Sequence, residues 1–366
     1  MTIAMRYALF LAATVSCAAL AQFPAGYPAD YAATLAAARK EGKVVVYSVL
    51  SNKAAQPLLA DFSALYPDIK VEYDGELGSS EMQERFISEA AAGRDSADVA
   101  WSSAMDLQLK LVEDGHAMTY ASPEAKSLPA WALYRDQAYG TTYEPVVFIY
   151  NKERLAAEDI PRDHAAFAAL LAAKPEKFRG KVTAFDIEKS GVGFMFAARD
   201  RKHFAGLDDL ARAFGKADYR PSAGTGTMLE KVTSGEYLLG YNIMGAYAMV
   251  RAKREPTLGV VLPKDYTLVL SRVAFISRHA RHPNAAKVFL DYLLSRRGQE
   301  VLGSRIELFA IRDDVAGEFS AASLARQIGA AVRPIPITGE VVRDLAPERR
   351  RAVIDEWNAA VAAGRR

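Results

Sequence analysis

Cysteine is almost missing from this chain: Cys17 is the one instance in 366 residues, and it lies in the apolar segment near the start. Disulfides therefore do not hold the fold together, and no thiolate is expected as nucleophile or metal ligand. Histidine is scarce as well, with five copies at His116, His164, His203, His279 and His282. None stands in a Gly-x-Ser-x-Gly or His-Glu-x-x-His setting, and each sits in a polar stretch that reads as surface. No pair of carboxylates is marked by its surroundings as a catalytic dyad, so an enzyme is not expected. Charge of one sign is lacking too. Lys and Arg total 46 against 44 Asp and Glu, a formal +2, and the basic residues are spread along the chain. That pattern argues against nucleic acid or a membrane surface as partner.

What is present is ordinary globular composition, 51% hydrophobic and 25% charged, on a chain longer than one core usually serves. Two lobes are expected. At the start, Arg6 precedes the apolar run Tyr7 to Ser16, and Ala19-Leu20-Ala21 follows with small residues at the positions a signal peptidase reads. On the order of 15 residues, the run is too short for a comfortable membrane span. It reads as a secretory signal, residues 1–21, cleaved after Ala21 so that the mature chain is exported. Thr14 stands where a lipoprotein signal carries Leu, so lipid attachment at Cys17 is not expected.

The mature chain repeats a helix–strand rhythm. Tyr31 to Lys40 has helical Ala-rich spacing, and Lys43-Val44-Val45-Val46-Tyr47 is a β-branched run suited to a buried parallel strand. Ala54, Leu58, Leu59, Phe62 and Leu65 recur at helical spacing until Tyr66-Pro67, before the strand Ile69 to Tyr73. A helix from Ser79 and a strand Ala97 to Trp101 extend the pattern. The middle third supplies a second set: a strand run Thr142 to Tyr150, the strand Gly180 to Asp186, and Leu238 to Asn242. Such βα repeats specify an α/β fold with mixed, mostly parallel sheets and helices on both faces, in which ligands sit beyond the carboxyl ends of strands.

Ser48, Ser51, Asn52, Ser79, Ser102 and Ser103 fall at such ends in the first set. Ser190, Gly191, Thr225, Gly226, Thr227 and Asn242 fall there in the second. Hydroxyls and amides beside helix amino ends make a neutral cradle for an anionic or polar ligand. The same residue types cap helices in any protein, and convergence on one edge is what favours a site. The segment around Ser190 lacks the Gly-Lys-Ser/Thr signature of a phosphate loop.

The ordered phrases "KEGKVVVYSVLSNKAAQPLLADFSALYPDIKVEY", "ADVAWSSAMDLQLKLVEDG", "VVFIYNKERL", "FRGKVTAFD", "TSGEYLLGYN" and "AFISRHARHPNAAKVFLDYLLSRRGQEVL" resemble the periplasmic ferric-iron-type binding proteins of ABC transporters over essentially the whole mature chain. The resemblance implies a two-lobed type II periplasmic-binding fold, with crossing strands near Tyr139 to Tyr150 and Thr267 to Ser277. The first lobe would be discontinuous, residues 28–140 plus 272–366, with its tail through Trp357 packed back onto it. The second would be residues 141–271. The implied protein is a monomeric periplasmic capture subunit that needs no cofactor, closes around a small-molecule ligand and meets a membrane permease.

Iron-binding relatives carry a His after the first strand, a Glu after the third and a paired Tyr-Tyr in the second lobe. Those places are held here by Ser51, Ser103 and Ile243-Met244, which leaves a ferric ion short of anionic oxygens. Tyr241 and Tyr247 are the remaining phenols in that segment, so iron stays the alternative ligand. The preferred ligand is a small organic anion: a carboxylate, phosphate ester or phosphonate. Lys53 and Arg272 are candidates for a full positive charge, Tyr143, Tyr247 and Tyr266 for stacking or hydrogen bonding, and Asp265 for a ligand ammonium or sugar hydroxyl. Trp101, Trp131 and Trp357 read as packing or lobe-edge residues.

Overall fold

The computed structural model describes residues 26–366. The signal segment and Cys17 lie outside the described residues. Thirteen strands are formed among the described residues: β1 (Lys43–Ser48), β2 (Lys70–Asp74), β3 (Val99–Ser102), β4 (Leu133–Tyr134), β5 (Ala138–Gly140), β6 (Glu144–Asn151), β7 (Val182–Phe185), β8 (Arg220–Ser222), β9 (Leu239–Met244), β10 (Leu258–Val261), β11 (Thr267–Leu270), β12 (Val273–Ile276) and β13 (Val332–Pro334).

They make two sheets. The first has the order β2-β1-β3-β12-β5-β4, and the second β13-β11-β6-β9-β7-β8 with β10 paired to β6. β1 runs parallel to β2 and β3, while β12 is antiparallel to β3 and β5. In the second sheet β7 runs parallel to β8 and β9, and β6 is antiparallel to β9. The sequence accounts for these elements locally. Val44 and Val46 of β1 are fully buried, as the β-branched run predicts. In the Asn52–Leu65 helix, Ala55, Leu58 and Phe62 face inward at three- and four-residue spacing, and Ser51 caps it by accepting a 3.3 Å bond from Ala54 N.

The chain passes between the sheets by two short crossings, from β5 to β6 through residues 141–143 and from β11 to β12 through 271–272, and a third time through the tail, from β12 to β13. The two short crossings lie side by side. Thr141 N donates to Arg272 O at 2.8 Å, and Arg272 N donates to Thr142 Oγ1 at 2.8 Å. Trp101, fully buried, donates its indole N–H to Thr141 Oγ1 at 2.8 Å, and Trp131 packs against Tyr143.

The tail departs from the expectation that it returns to the first lobe. The Pro283–Leu294 helix does pack beside Tyr31–Glu41 under the first sheet. Beyond it, β13 joins β11 in the second sheet, and the Pro347–Arg365 helix lies along Leu207–Lys216 of the second lobe. The reason is packing. Trp357 sits against Phe214 and donates toward Tyr219 Oη. Gly215 and Gly364 let the two backbones approach so closely that a Cβ on either would collide with the facing carbonyl. The Gly339–Asp344 helix lies between Met105–Glu113 of one lobe and Gly191–His203 of the other, so the tail straps the lobes together. His164 also departs from its surface reading: it is buried and stacked on Tyr266, centroids 3.9 Å apart.

Candidate functional site

Between the lobes lies a cleft with a cavity of about 660 Å³. Two helix amino ends open onto it, one from each lobe. From the first come Ser51 and Lys53, at the start of the Asn52–Leu65 helix; from the second come Thr225 and Gly226, at the start of Thr225–Thr233. In the first, Asn52 N already donates to Glu76 Oε1 at 2.9 Å and Ala54 N to Ser51 Oγ at 3.3 Å. The second helix has no side-chain cap, so its first-turn N–H groups give the space partial positive character from that side. Tyr247, on the Gly245–Arg254 helix that follows β9, also lines it.

Behind Tyr247 lies a buried ion pair at the crossing. Arg272 donates Nε to Glu144 Oε1 at 2.9 Å and Nη2 to Tyr247 Oη at 2.8 Å, and Thr142 Oγ1 donates to the same Glu144 oxygen at 2.9 Å. Burial opposes the guanidinium charge, yet the neighbouring Glu144 and Tyr247 hold its pKa above the ordinary value. Arg272 Nη1 and Glu144 Oε2 are sealed from solvent without a partner. Arg272, a candidate for the full positive charge facing the ligand, is fully buried and pairs with Glu144.

The other expected residues sort into three groups. Ser48 and Ser102 are buried and accept from backbone N–H groups two residues on, Ser190 caps the Gly191–His203 helix through Gly193 N, and Asn52 Oδ1 accepts from Gly75 N. The serine bonds are local turn and cap bonds, and the Asn52 bond ties the start of its helix to the loop after β2. Ser103 is buried, and its hydroxyl has no protein partner. Ser79 is half-buried, Tyr143 is half-buried beside Trp131, and Thr227 is exposed.

Asn242, Asp265 and Tyr266 do not face the cleft. Asn242 takes a φ of 54°, and its amide donates to Asp200 Oδ2 at 2.6 Å. Tyr266 Oη donates to Asp200 Oδ1 at 2.8 Å, and Tyr241 Oη to Asp200 Oδ2 at 2.9 Å. Asp265 pairs with His164 Nδ1 at 2.9 Å. This is an internal hub of the second lobe, centred on a fully buried carboxyl that burial pushes up in pKa and three donors pull down. Tyr241 and Tyr247 therefore serve separate clusters. Among the described residues no group of three or more His, Cys, Asp or Glu side chains is placed to hold a metal ion.

Sequence reasoning missed Glu144, which heads the otherwise apolar run of β6; a lone carboxylate before a buried strand was the available signal. It also missed Asp106, which follows Ser102 and Ser103 into the Met105–Glu113 helix. Asp106 is 1% exposed, and neither carboxylate oxygen has a hydrogen-bond donor. Its Oδ2 lies 3.7 Å from where a Cβ on Gly191 of the other lobe would stand, so the lobes meet at this carboxyl. Burial raises its pKa to about 6, against opposing help from nearby backbone N–H groups and the more distant Arg350 charge.

Comparison with known proteins agrees with this architecture. No curated protein sequence matches the chain. A substrate-binding protein of an ABC transporter from Agrobacterium tumefaciens is 37% identical, covering 87% of this chain and 94% of its own, with a TM-score of 0.80. The periplasmic binding protein AfuA from Actinobacillus pleuropneumoniae, solved with fructose-6-phosphate bound, shares the fold at 19% identity over 87% and 98% of the two chains, TM-score 0.69. The apo ferric ion-binding protein A of Pasteurella haemolytica does so at 17% identity with the same coverage and TM-score. Residues 57–326 match the family model for bacterial extracellular solute-binding proteins, and the chain belongs to that family, with the fold of the periplasmic binding proteins of ABC transporters.

Proposed function

We propose that the mature chain is a periplasmic capture subunit that takes a small organic anion, a carboxylate, phosphate ester or phosphonate, into the interlobe cleft and presents it to a membrane permease. The observation that carries this reading is the convergence of helix amino ends from both lobes on one cavity of about 660 Å³. That volume lies within the ordinary range for small-molecule sites, and its two walls belong to bodies joined by two short crossings and by the tail. A ligand that contacts both walls favours the closed arrangement by its differential affinity for it, and no covalent step is required. Ser51, Ser103, Thr225, Gly226 and Tyr247 are the proposed contacts, with Arg272 and Glu144 fixing Tyr247 from behind.

Iron is not the ligand proposed. Ser51 is an exposed helix cap, Ile243 and Met244 are buried aliphatic side chains, and Tyr241 is engaged by Asp200. A hard trivalent cation would find little anionic oxygen there. Export through the signal at residues 1–21 and a monomeric state complete the proposal; among the described residues no helix is long and apolar enough to cross a membrane.

A thermal-shift screen of the mature chain tests it, using organic acids, phosphate esters, phosphonates and ferric citrate. A true ligand at 100 times its Kd adds about 2.7 kcal/mol to stability. Stabilisation by ferric citrate alone, with a visible charge-transfer band, would overturn the anion assignment.

A further inference from the structure

Three cationic side chains at the cleft make no hydrogen bond or close ion pair among the described residues, Arg305 having only the more distant charge of Asp61, itself paired with Arg297. Lys53 and Arg305 come from the first lobe, the latter from the turn after the Arg296–Val301 helix, which packs against Asn52–Leu65. Arg254 comes from the second, at the end of the Gly245–Arg254 helix. All three line the same cavity. Among the acidic groups nearby, Glu255 pairs with Arg251 at 2.9 Å, while Glu307 and Glu318 share the single Lys253 at 2.9 and 2.8 Å, so one carboxylate charge stands against the three cations and two positive charges remain in surplus. The Lys253–Glu307 pair itself joins one lobe to the other and favours closure. Lys53 and Arg305 on one wall of the cavity and Arg254 on the other oppose it, because the cations outnumber the spare carboxylate and like charges in surplus repel.

Resting on the reading of the cleft as an anion site, we infer that Lys53, Arg254 and Arg305 form a charge-counting mouth: closure requires a ligand with two or more negative charges. A monoanion answers one of three cations and leaves the lobes in net repulsion. A dianion or trianion, of polycarboxylate or phosphoryl chemistry, bridges cations of both lobes and turns repulsion into attraction. Specificity for charge number then resides in side chains outside the strand-end cradle, and it is sensitive to ionic strength because the residues are exposed.

The test reads closure directly. The chain beyond Cys17 has no cysteine, so Glu84→Cys in the first lobe and Lys216→Cys in the second accept one spin label each, and the interlobe distance distribution reports the closed fraction. In the ligand-free protein at about 10 mM salt, where the Debye length is about 30 Å, the K53Q/R254Q/R305Q variant should populate the closed form several-fold more than the parent. The gap should shrink at about 150 mM salt, where screening is stronger. Inorganic pyrophosphate should close the parent and acetate should not, and the variant should lose this discrimination. Equal closed fractions in parent and variant at low salt would overturn the inference; R254Q alone, which alters one exposed side chain, gives the same sign if the triple variant fails to fold. The two readings fail separately. If the variant shifts closure while no organic anion stabilises the parent, the anion-capture reading falls and the repulsion stands. If organic anions bind while parent and variant close alike, the charge-counting mouth alone falls.

Discussion

Two buried charges in this protein are treated in opposite ways. The Asp200 carboxyl, in the second lobe, receives Tyr241, Asn242 and Tyr266, and both its oxygens are bonded. The Arg272–Glu144 pair, at the crossing between lobes, keeps one guanidinium nitrogen and one carboxylate oxygen without a partner. A completed network rigidifies and specifies the lobe around it, whereas unfinished polar groups in a native structure mark a place where something else acts. At these two places the difference in hydrogen bonding tells the networks apart where residue type does not. Asn242 and Tyr266 have the chemistry of ligand contacts, and they are consumed internally. Tyr247, no different from Tyr266 in kind, reaches the cavity.

The comparison can be broken by substitution, starting with the largest effect. Glu144→Leu strands the Arg272 charge in a dry interior and should lower stability by about 3–5 kcal/mol, measured by urea unfolding. A loss under 1 kcal/mol would mean that the guanidinium finds water there. Asp200→Leu orphans three donors and should cost about 3 kcal/mol, roughly 1 kcal/mol for each unmet group at the low end of the usual cost, while the ligand affinity of the molecules that fold stays unchanged. An affinity loss greater than tenfold would move the hub into the site.

Asp106 gives a prediction with a sign. Burial lifts its carboxyl from 3.8 to about 6, so the folded state holds the proton more tightly than the unfolded chain. Its contribution to stability is fully favourable below about pH 4 and is lost as pH rises through about 6. Asp291, raised likewise to about 6 by burial against the opposing pull of Ser122, Tyr120 and Tyr31 hydroxyls, acts in the same window. Asp106→Asn should therefore gain about 3 kcal/mol on the parent between pH 4 and 6, at about 1.36 kcal/mol per pKa unit, and hold that gain at higher pH. A difference between variant and parent that does not change with pH would refute the assignment. Smaller still, Ser103→Ala should weaken ligand binding by about 1 kcal/mol through loss of one hydroxyl, read by calorimetry. Thr227→Ala, at an exposed position in the same helix as Thr225, should change neither stability nor affinity beyond about 0.5 kcal/mol.

The βα rhythm was legible because apolar spacing of three and four alternates with short β-branched runs, and Val44 to Tyr47, Leu58 to Phe62 and Val182 to Phe185 all became what that spacing implies. The tail was not. Its helix has an apolar face without a strand core of its own, and the glycines at 215 and 364, with Trp357 against Phe214, determine which lobe accepts it. At the site, strand-end position was legible and side-chain direction was not. A φ of 54° at Asn242 sends its amide to Asp200, and alternation along a strand gives no warning of that turn. Arg254 and Arg305 lie far apart in sequence on segments with no motif, so their meeting across the cleft is a property of the folded lobes alone.

The most direct measurement of capture by closure is small-angle scattering of the mature chain with and without the anion that gives the largest thermal shift. Closure of the lobes around that anion predicts a smaller radius of gyration at saturation. A radius unchanged by a ligand proven to bind would contradict it.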